Sequence, residues 1–232
     1  YSMYSDAEIV SFIPSYLMTG NELENARNEF EGVVSEILSG VNPSMSDYDL
    51  ELYFHDKIAE MVVYNEATNA HNAYGALVDG VAVCEGYAEA LQVLLHRVGI
   101  RSYLVTGKSF NPLTQTFEGH EWNAVEIGGD FYYVDATWDD QGDYLFHAYF
   151  NVSYDVLSKD HLFDELPYEV PACDKMDMFY FNVEGGMIDE INVSNICDAF
   201  NGGYSSAMYL NCNTDNFAEW FNENVYTILV EI

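Results

Sequence analysis

The stretch that decides the fold lies at residues 80–107 and reads GVAVCEGYAEALQVLLHRVGIRSYLVTG. Its apolar residues between Ala82 and Val98 recur at the spacing of an amphipathic helix. Gly99 follows at the position where a glycine commonly ends a helix. From Ile100 the pattern changes to a short run rich in branched and aromatic residues, which is typical of a strand. The stretch therefore predicts a long helix that opens near Cys84 and leads directly into a strand.

A second stretch, at residues 119–140, predicts a β-hairpin and reads GHEWNAVEIGGDFYYVDATWDD. Its two apolar runs flank the turn signal Gly128-Gly129-Asp130. Antiparallel pairing through this turn places residues whose numbers add up to about 257 opposite each other. His120 then lies opposite a position within two residues of Asp135. The register therefore predicts that the side chains of His120 and Asp135 can touch.

Three helices are predicted before the first of these stretches. Helical spacing marks residues 7–18 and 21–38, and a third helix runs from a cap at Ser46 or Asp47 to about Tyr64. Residues 65–80 and 108–119 are rich in turn-forming residues and are predicted to be loops.

The signals beyond residue 140 are weaker. A short helix is predicted at residues 153–158, and the aromatic run at residues 178–183 favours a strand. We therefore predict an α+β fold with a core at residues 50–172, an N-terminal helical segment at residues 1–49 and a β-rich C-terminal extension at residues 173–232.

Cys84 is the first candidate for chemistry because of its predicted place at a helix N-terminus. The unpaired N–H groups and the helix dipole there favour a thiolate, which is the nucleophilic form. The same N–H groups can stabilise an oxyanion. An isolated cysteine is more often a buried structural residue. The position of Cys84 alone therefore leaves both interpretations open.

His120 and Asp135 supply the other two groups that a cysteine nucleophile needs. His120 begins a strand, where it can serve as a general base or as the cation of a thiolate–imidazolium pair. Asp135 ends the partner strand, where its carboxylate can orient the imidazole. The other histidines are interpreted as polar surface groups: His55, His71, His96, His147 and His161.

Together these motifs closely resemble the bacterial transglutaminase-like (transglutaminase core) superfamily of papain-like cysteine-nucleophile enzymes. The resemblance runs from about Tyr53 to Cys173, and three motifs stand in the family's order: Cys-x-Gly-Tyr-Ala, His-x-Trp-Asn and Val-Asp-x-Thr-Trp-Asp. It implies a papain-like core in which a helix with the cysteine packs on an antiparallel sheet with the histidine and aspartate. On this resemblance Cys84 is the nucleophile, His120 the base and Asp135 the orienting acid. The chemistry requires no cofactor and no metal.

Three further residues are predicted to contact the substrate. Glu121 stands where the family usually has a small residue, and it is expected to point away from His120 and to alter substrate preference. Trp122 shares the face of His120 and is expected either to wall the cleft or to pack in the core. Tyr74 resembles a position near the active site in relatives, and a core aromatic is the alternative.

The resemblance implies that Cys84 attacks a carboxamide or peptide carbonyl and forms a thioester, which water or an amine then resolves. The protein is therefore expected to be an amide or peptide hydrolase or an acyltransferase that acts on protein or peptide substrates, cell-wall peptides among them. One alternative is a catalytically inactive binding module on the bacterial cell surface. Another is a surface protein in which Cys84 forms an internal thioester or crosslink.

The charge balance limits the class of partner. The chain has 39 acidic and 7 basic residues, a net charge of -32. Such a surface repels nucleic acid and anionic lipid, and no apolar run reaches the ~18 residues of a membrane span. The composition suits an exported or cell-surface bacterial protein whose signal was removed, and a cytoplasmic location stays open.

The remaining cysteines do not form a recognisable metal or disulfide framework. The spacing of Cys173, Cys197 and Cys212 contains no Cys-x-x-Cys pair, which argues against a structural zinc site. Cys197 and Cys212 are candidates for a disulfide if the protein is exported, and two buried thiols are the alternative.

Overall fold

The computed structural model describes residues 18–201, 209–210 and 217–231. The chain divides into two compact units, one up to Gly40 and the other from Val41 onward. The described part of the first unit is helix α1, Gly20–Ser39, which confirms the helix predicted at residues 21–38. The helix predicted at residues 7–18 lies outside the described residues except for its last residue. The predicted domain boundaries at residues 50 and 173 stay predictions.

The second unit opens with helix α2, Asp47–Met61, which begins at the predicted cap. The Ser46 hydroxyl accepts a hydrogen bond from the Asp49 amide at 3.2 Å, and the Asp49 carboxylate accepts one from the Ser46 amide at 2.9 Å. This reciprocal pair satisfies amides that the helix itself leaves unpaired. The helix ends earlier than predicted, because Val63–Tyr64 form strand β1 instead of continuing it.

The segment predicted as a loop before Cys84 contains regular structure. Strand β1 pairs in parallel with β2, Val81–Ala82, and a single π-helical turn at Gly75–Asp79 lies between them. Helix α3, Cys84–Arg97, follows β2 and confirms the predicted long helix. Gly99 ends it with a φ of 88°, a left-handed conformation that glycine adopts without steric cost.

The core sheet has five strands in the order β6-β5-β4-β3-β7, and all neighbours are antiparallel. The strands are β3 Ser102–Asn111, β4 Thr116–Ile127, β5 Asp130–Val134, β6 Phe150–Val152 and β7 His161–Phe163. Strands β3 and β4 extend into the loop predicted at residues 108–119, so only Pro112–Gln115 form the turn. Short helices α4, Ala136–Asp139, and α5, Tyr154–Leu157, follow β5 and β6.

The hairpin of β4 and β5 has the register that the sequence predicts. Asn123 pairs with Val134 and Ile127 pairs with Asp130, so paired residue numbers add up to 257 as expected. The two faces of the sheet are used differently. Asn123 donates a hydrogen bond from Nδ2 to the Ala88 carbonyl of α3 at 3.0 Å, while alternate residues such as Trp122 and Ala124 join an apolar cluster with Leu157.

Gly107 is required where β7 crosses close to β3. A Cβ atom at Gly107 would lie 1.9 Å from the Leu162 carbonyl oxygen and 2.8 Å from the Trp122 ring. We expect Gly107→Ala to lower the free energy of unfolding by about 3 kcal/mol, because backbone must move to relieve the overlap. Urea unfolding measures this loss. Gly119→Ala is the matched control, since a Cβ at Gly119 meets nothing within 4 Å, and an equal loss in both variants contradicts the prediction.

The prediction of a β-rich C-terminal extension is wrong for the described residues. The described part of residues 173–232 contains helices α6 Tyr180–Val183, α7 Val193–Asn201 and α8 Phe217–Glu231, with only two two-residue strands, β8 Met187–Ile188 and β9 Tyr209–Leu210. The run predicted as a strand at residues 178–183 mostly forms α6, because its aromatic residues pack on the core as a helical turn. Phe179 and Phe181 are buried there.

Two smaller expectations concern the extension and the membrane. Cys197 is buried in a cluster with Ile196 and Ile228, and Cys212, its predicted partner, lies outside the described residues. Within the described part of the chain, no helix has the length and apolar character that a membrane crossing requires.

Candidate active site

Cys84 is the first residue of α3, and hydrogen bonds fix the residues on both sides of it. The Val83 amide donates to the Ala70 carbonyl at 3.0 Å, and the Tyr87 hydroxyl donates to Asp140 at 2.6 Å. Residue Val83 at the N-cap provides no side-chain cap, so the first-turn amides of α3 have no side-chain acceptor there. Cys84 is 8% exposed. It is therefore a buried residue at a helix N-terminus, and the helix position is the predicted one.

His120 lies between Cys84 and Asp135. Its Nε2 is 2.6 Å from Asp135 Oδ2, and the Cys84 side chain is close enough to contribute to raising the pKa of His120. Because Nε2 faces the carboxylate, Nδ1 is the ring nitrogen left for the thiol. The contact expected from the hairpin register is present, since β4 carries His120 and Asp135 directly follows β5. The three residues named from the sequence are thus together, and their catalytic roles stay predictions.

The Asp135 carboxylate is fully enclosed by donors. Its Oδ1 accepts from the amides of Thr137 and Trp138, each at 3.1 Å. Its Oδ2 accepts from His120 and also faces His161 Nε2 at 3.1 Å. Burial alone would raise the pKa of Asp135, but the charge and hydrogen bonds of His120 and His161 hold the pKa well below its usual range. Asp135 is therefore an anion at neutral pH.

The electrostatics favour a protonated His120. Burial alone would lower its pKa, but the charge and hydrogen bond of Asp135, with a smaller contribution from Cys84, outweigh that effect and raise the pKa of His120 to about 10. An imidazolium beside a cysteine favours the thiolate. The arrangement can therefore hold a thiolate–imidazolium pair, which is the state that attacks a carbonyl carbon.

An open cleft of about 570 Å³ reaches His120 from solvent. Its walls come from the β1 end, the β3–β4 turn region and α4. The lining residues are Tyr64, Ser109, Asn111, Pro112, Glu118, His120, Thr137, Trp138, Asp140 and Gln141.

The three predicted substrate-contact residues, Tyr74, Glu121 and Trp122, are not among those that line this cleft. Trp122 is 1% exposed and its ring stacks on His120 with centroids 5.9 Å apart, so it packs beneath the histidine in the core. Tyr74 lies at the start of the π-helical turn and is half-buried. Glu121 alternates with His120 along β4 and lies near Glu85 and Glu89 of α3. Their role in substrate binding stays a prediction.

The negative charge of Glu121 is expected to destabilise the folded state. Burial, followed by the charges of Glu89 and Glu85, raises its pKa from 4.5 to about 7. A carboxyl whose pKa is higher in the folded state destabilises the fold as the pH rises through this range. After solvent screening, Glu121→Gln is expected to raise the free energy of unfolding at pH 8 by about 1 kcal/mol and to have no effect at pH 4.

Urea unfolding at the two pH values tests the Glu121 prediction. Glu118→Gln is the control, because hydrogen bonds from Asn111 and Thr114 lower the pKa of Glu118 and no gain is expected there. If Glu121→Gln changes the free energy of unfolding equally at pH 4 and pH 8, the charge of Glu121 does not destabilise the fold.

Sequence reasoning missed two residues of the site and interpreted a third too narrowly. Tyr64 lines the cleft, and the charge of Cys84 contributes to raising its pKa after burial. Trp138, interpreted as a residue that stabilises the strand end, also lines the cleft, and its ring centroid is 4.8 Å from that of His161. His161, interpreted as a surface group, is 1% exposed and contacts Asp135. In the sequence, the one signal for His161 was its position directly after the acidic residue Asp160.

Two groups in the described residues bring His and Asp ligand atoms within 4.8 Å of one another: His55, Asp56 and His147, and His120, Asp135 and His161. In both groups the histidine nitrogens lie 2.6–3.1 Å from carboxylate oxygens. These contacts are hydrogen bonds, which need a proton where a metal would bind. We describe both groups as hydrogen-bonded clusters.

Comparison with known proteins finds a family model that is similar to the central part of the chain. The family model of the transglutaminase-like superfamily matches residues 35–136, a range that includes Cys84, His120 and Asp135. A search of curated proteins finds no match.

Three solved structures are similar to part of the chain. A TGase is 15% identical with a TM-score of 0.42, and the match covers 54% of this chain and 35% of that one. A candidate cysteine protease from Cytophaga hutchinsonii is 17% identical with a TM-score of 0.38, over 52% and 43% of the two chains. An arylamine N-acetyltransferase from Bacillus cereus, described with a Cys-His-Glu catalytic triad, is 16% identical with a TM-score of 0.37, over 52% and 51%.

The chain spans about a third to a half of the length of these three structures. The family match, the helix that opens at Cys84 and the antiparallel hairpin with His120 and Asp135 agree on one assignment. The chain contains a transglutaminase-like core.

Proposed function

We propose that the protein is a cysteine-dependent amide or peptide hydrolase or acyltransferase that acts on protein or peptide substrates through a Cys84 thioester. The observation that carries this proposal is the position of His120, which is hydrogen-bonded to Asp135, has Cys84 as a neighbour and lines an open cleft. A buried structural cysteine does not need an oriented imidazole or a path to solvent.

The geometry supports a two-step reaction. The Cys84 thiolate attacks the carbonyl carbon, and the oxygen takes the negative charge near the first-turn amides of α3. His120 donates its proton to the departing nitrogen, so the C–N bond breaks and a thioester remains on Cys84. Neutral His120 then takes a proton from water or from an amine as it attacks the thioester, and the thiolate–imidazolium pair is restored.

Asp135 and Trp138 support this cycle without touching the reacting carbon. Asp135 holds His120 Nε2 at 2.6 Å, so Nδ1 stays directed at the thiol. The Trp138 ring lies 6.2 Å from the His120 ring and forms part of the cleft wall. Exclusion of water around a thioester favours attack by a bound amine over hydrolysis. Hydrolysis and amine transfer therefore differ only in which nucleophile reaches the same thioester.

The charge of the protein supports cationic partners. With a net charge of -32, the protein attracts peptides and amines that carry positive charge. We propose lysine-containing proteins or peptides, cell-wall peptides among them, as substrates or acceptors. We also propose a location outside the cell or on its surface.

The test follows the fate of the acyl group. Purified protein is incubated with glutamine-containing peptides, with and without a labelled alkylamine, and the products are identified by mass spectrometry together with an ammonia assay. Release of ammonia without amine incorporation means a deamidase, incorporation means an acyltransferase, and cleavage means a protease. Cys84→Ala is the control and should abolish each of these products. Products that persist in Cys84→Ala, or an absence of any acyl-Cys84 with activated esters, overturn the proposal.

A further inference from the structure

His161 is a buried histidine whose two ring nitrogens both face carboxylates. Its Nε2 lies 3.1 Å from Asp135 Oδ2, and its Nδ1 lies 2.6 Å from Asp160 Oδ1. The side chain of His161 is fully buried. The Tyr149 hydroxyl donates to the other Asp160 oxygen at 2.7 Å. A continuous hydrogen-bonded chain therefore runs from His120 through Asp135 and His161 to Asp160 and Tyr149.

This geometry determines the charge of the ring. An ionised carboxylate only accepts hydrogen bonds, and a neutral imidazole has only one N–H. Both contacts of His161 are hydrogen bonds only if both ring nitrogens carry a proton. The arrangement therefore places a cation between Asp135 and Asp160, in a row of alternating charges that continues to His120.

We propose that His161 is a positioning residue of the candidate triad, acting as a buried imidazolium that holds the Asp135 carboxylate toward His120 and offsets part of its charge. This inference rests on the proposed function, because it concerns the same Cys84 and His120. His161 contacts Asp135 and not the reacting atoms, and it acts by holding that carboxylate and through its charge.

The consequence for the triad follows from distance. The His161 ring centroid is 5.5 Å from that of His120, close enough for its charge to act on the thiolate–imidazolium pair. Loss of one positive charge there makes the thiolate harder to form and the imidazolium harder to deprotonate. Both changes have the same sign, and at this separation each corresponds to about one pH unit.

The groups that face His161 belong to four parts of the fold. His120 lies on β4, Asp135 follows β5, Tyr149 precedes β6, and Asp160 precedes β7. The rings of Trp122 and Trp138 lie 5.1 and 4.8 Å away by centroid. Burial alone would lower the pKa of His161, but hydrogen bonds with Asp135 and Asp160 outweigh it and raise the pKa.

The test is the pH profile of Cys84 alkylation by iodoacetamide from pH 4 to 11, with labelled Cys84 identified by mass spectrometry. In His161→Gln the amide still donates to Asp135 but carries no charge. We expect both limbs of the profile to move up by about one pH unit in this variant. His147→Gln is the matched control, since His147 is also buried and bonds a carboxylate, Asp56, without touching Asp135. Its limbs should stay at the wild-type positions.

A ¹⁵N spectrum of the wild-type imidazoles tests the charge directly. Two protonated nitrogens on His161 at pH 7.5 are expected, and a neutral His161 overturns the inference. If both limbs of the profile stay in place in a folded His161→Gln variant, the inference is overturned. A low-pH plateau in the wild-type profile would still support the proposed function in that case. A wild-type profile without that plateau overturns the proposed function and the inference together. If His161→Gln does not fold, the protonation state of the wild-type ring decides.

Discussion

His120→Ala is expected to change Cys84 from a nucleophile that reacts across acidic pH into one that behaves as an ordinary thiol. In the variant, the alkylation rate should fall about tenfold for each pH unit below 8.5, because only the thiolate reacts. In the wild type, pairing with the His120 imidazolium should extend the reactive plateau to lower pH than in the variant. A thiolate stabilised in this way is also a weaker nucleophile, so the two rates are expected to differ at pH 5 by about tenfold.

The same variant should lose turnover more completely than alkylation. His120 also gives a proton to the leaving nitrogen, and removal of such a group typically costs about 10²–10⁴ in rate. Alkylation with mass-spectrometric detection and peptide turnover measure the two effects separately. His96→Ala is the control, since His96 lies near the other end of α3 and contacts Ser102. A plateau that survives in His120→Ala excludes His120 as the partner of Cys84.

Asp135→Asn is expected to have the largest effect on stability. The carboxylate accepts from His120, His161 and two amides, and it is 1% exposed. An asparagine presents an amide group to N–H donors and leaves the two histidines without their counter-charge. Removing one partner from a buried charge network typically costs about 3–5 kcal/mol. We expect a loss of that size in the free energy of unfolding at pH 6, measured by urea denaturation.

The loss in Asp135→Asn should depend on pH in a defined way. Because the folded pKa of Asp135 is depressed, its contribution is present above about pH 4 and is lost as the pH falls through the folded pKa. Because the pKa of His120 is raised from 6.5 to about 10, the contribution of His120 is complete below pH 6.5 and is lost as the pH rises through 10. The difference between wild type and variant should therefore be greatest between about pH 4 and 6.5.

Asp130→Asn is the control for this measurement. Asp130 makes an exposed ion pair with Lys175 at 2.6 Å, and exposed pairs are typically worth about 1 kcal/mol or less. If Asp135→Asn costs no more than Asp130→Asn, the buried network around Asp135 does not stabilise the fold, and its proposed role in orienting His120 also loses support.

Two buried histidines, His55 and His161, each lie between two carboxylates. His55 lies between Asp56 at 3.0 Å and Asp139 at 3.2 Å, so it too has a carboxylate near each ring nitrogen. Burial alone would lower the pKa of His55, but the two carboxylates outweigh it and raise the pKa to about 9. The interpretation of both residues as polar surface groups is therefore wrong, because a histidine between two carboxylates can be buried as an ion.

The amino-acid sequence by itself determined the local parts of the site. Helical spacing after Cys84 placed the thiol at the N-terminus of α3, and the turn at Gly128-Gly129 set the register that brings His120 to Asp135. Both are short-range effects, in which neighbouring residues decide the backbone and the backbone decides which side chains meet. Periodicity also located α1 and α2, since their apolar residues recur at helical spacing within each helix.

Only the tertiary structure decided which distant side chains complete the site. His161 begins β7, which pairs with β3 at one edge of the sheet, and Asp135 follows β5, with β3 and β4 between the two strands. The side chains of His161 and Asp135 meet only because the whole sheet forms. Tyr64 reaches the cleft because β1 pairs with β2 across an intervening π-helical turn. Strand order depends on how the whole core packs, and periodicity within one segment carries no information about it. The same holds for the aromatic run at residues 178–183, where packing on the core favoured a helical turn over a strand.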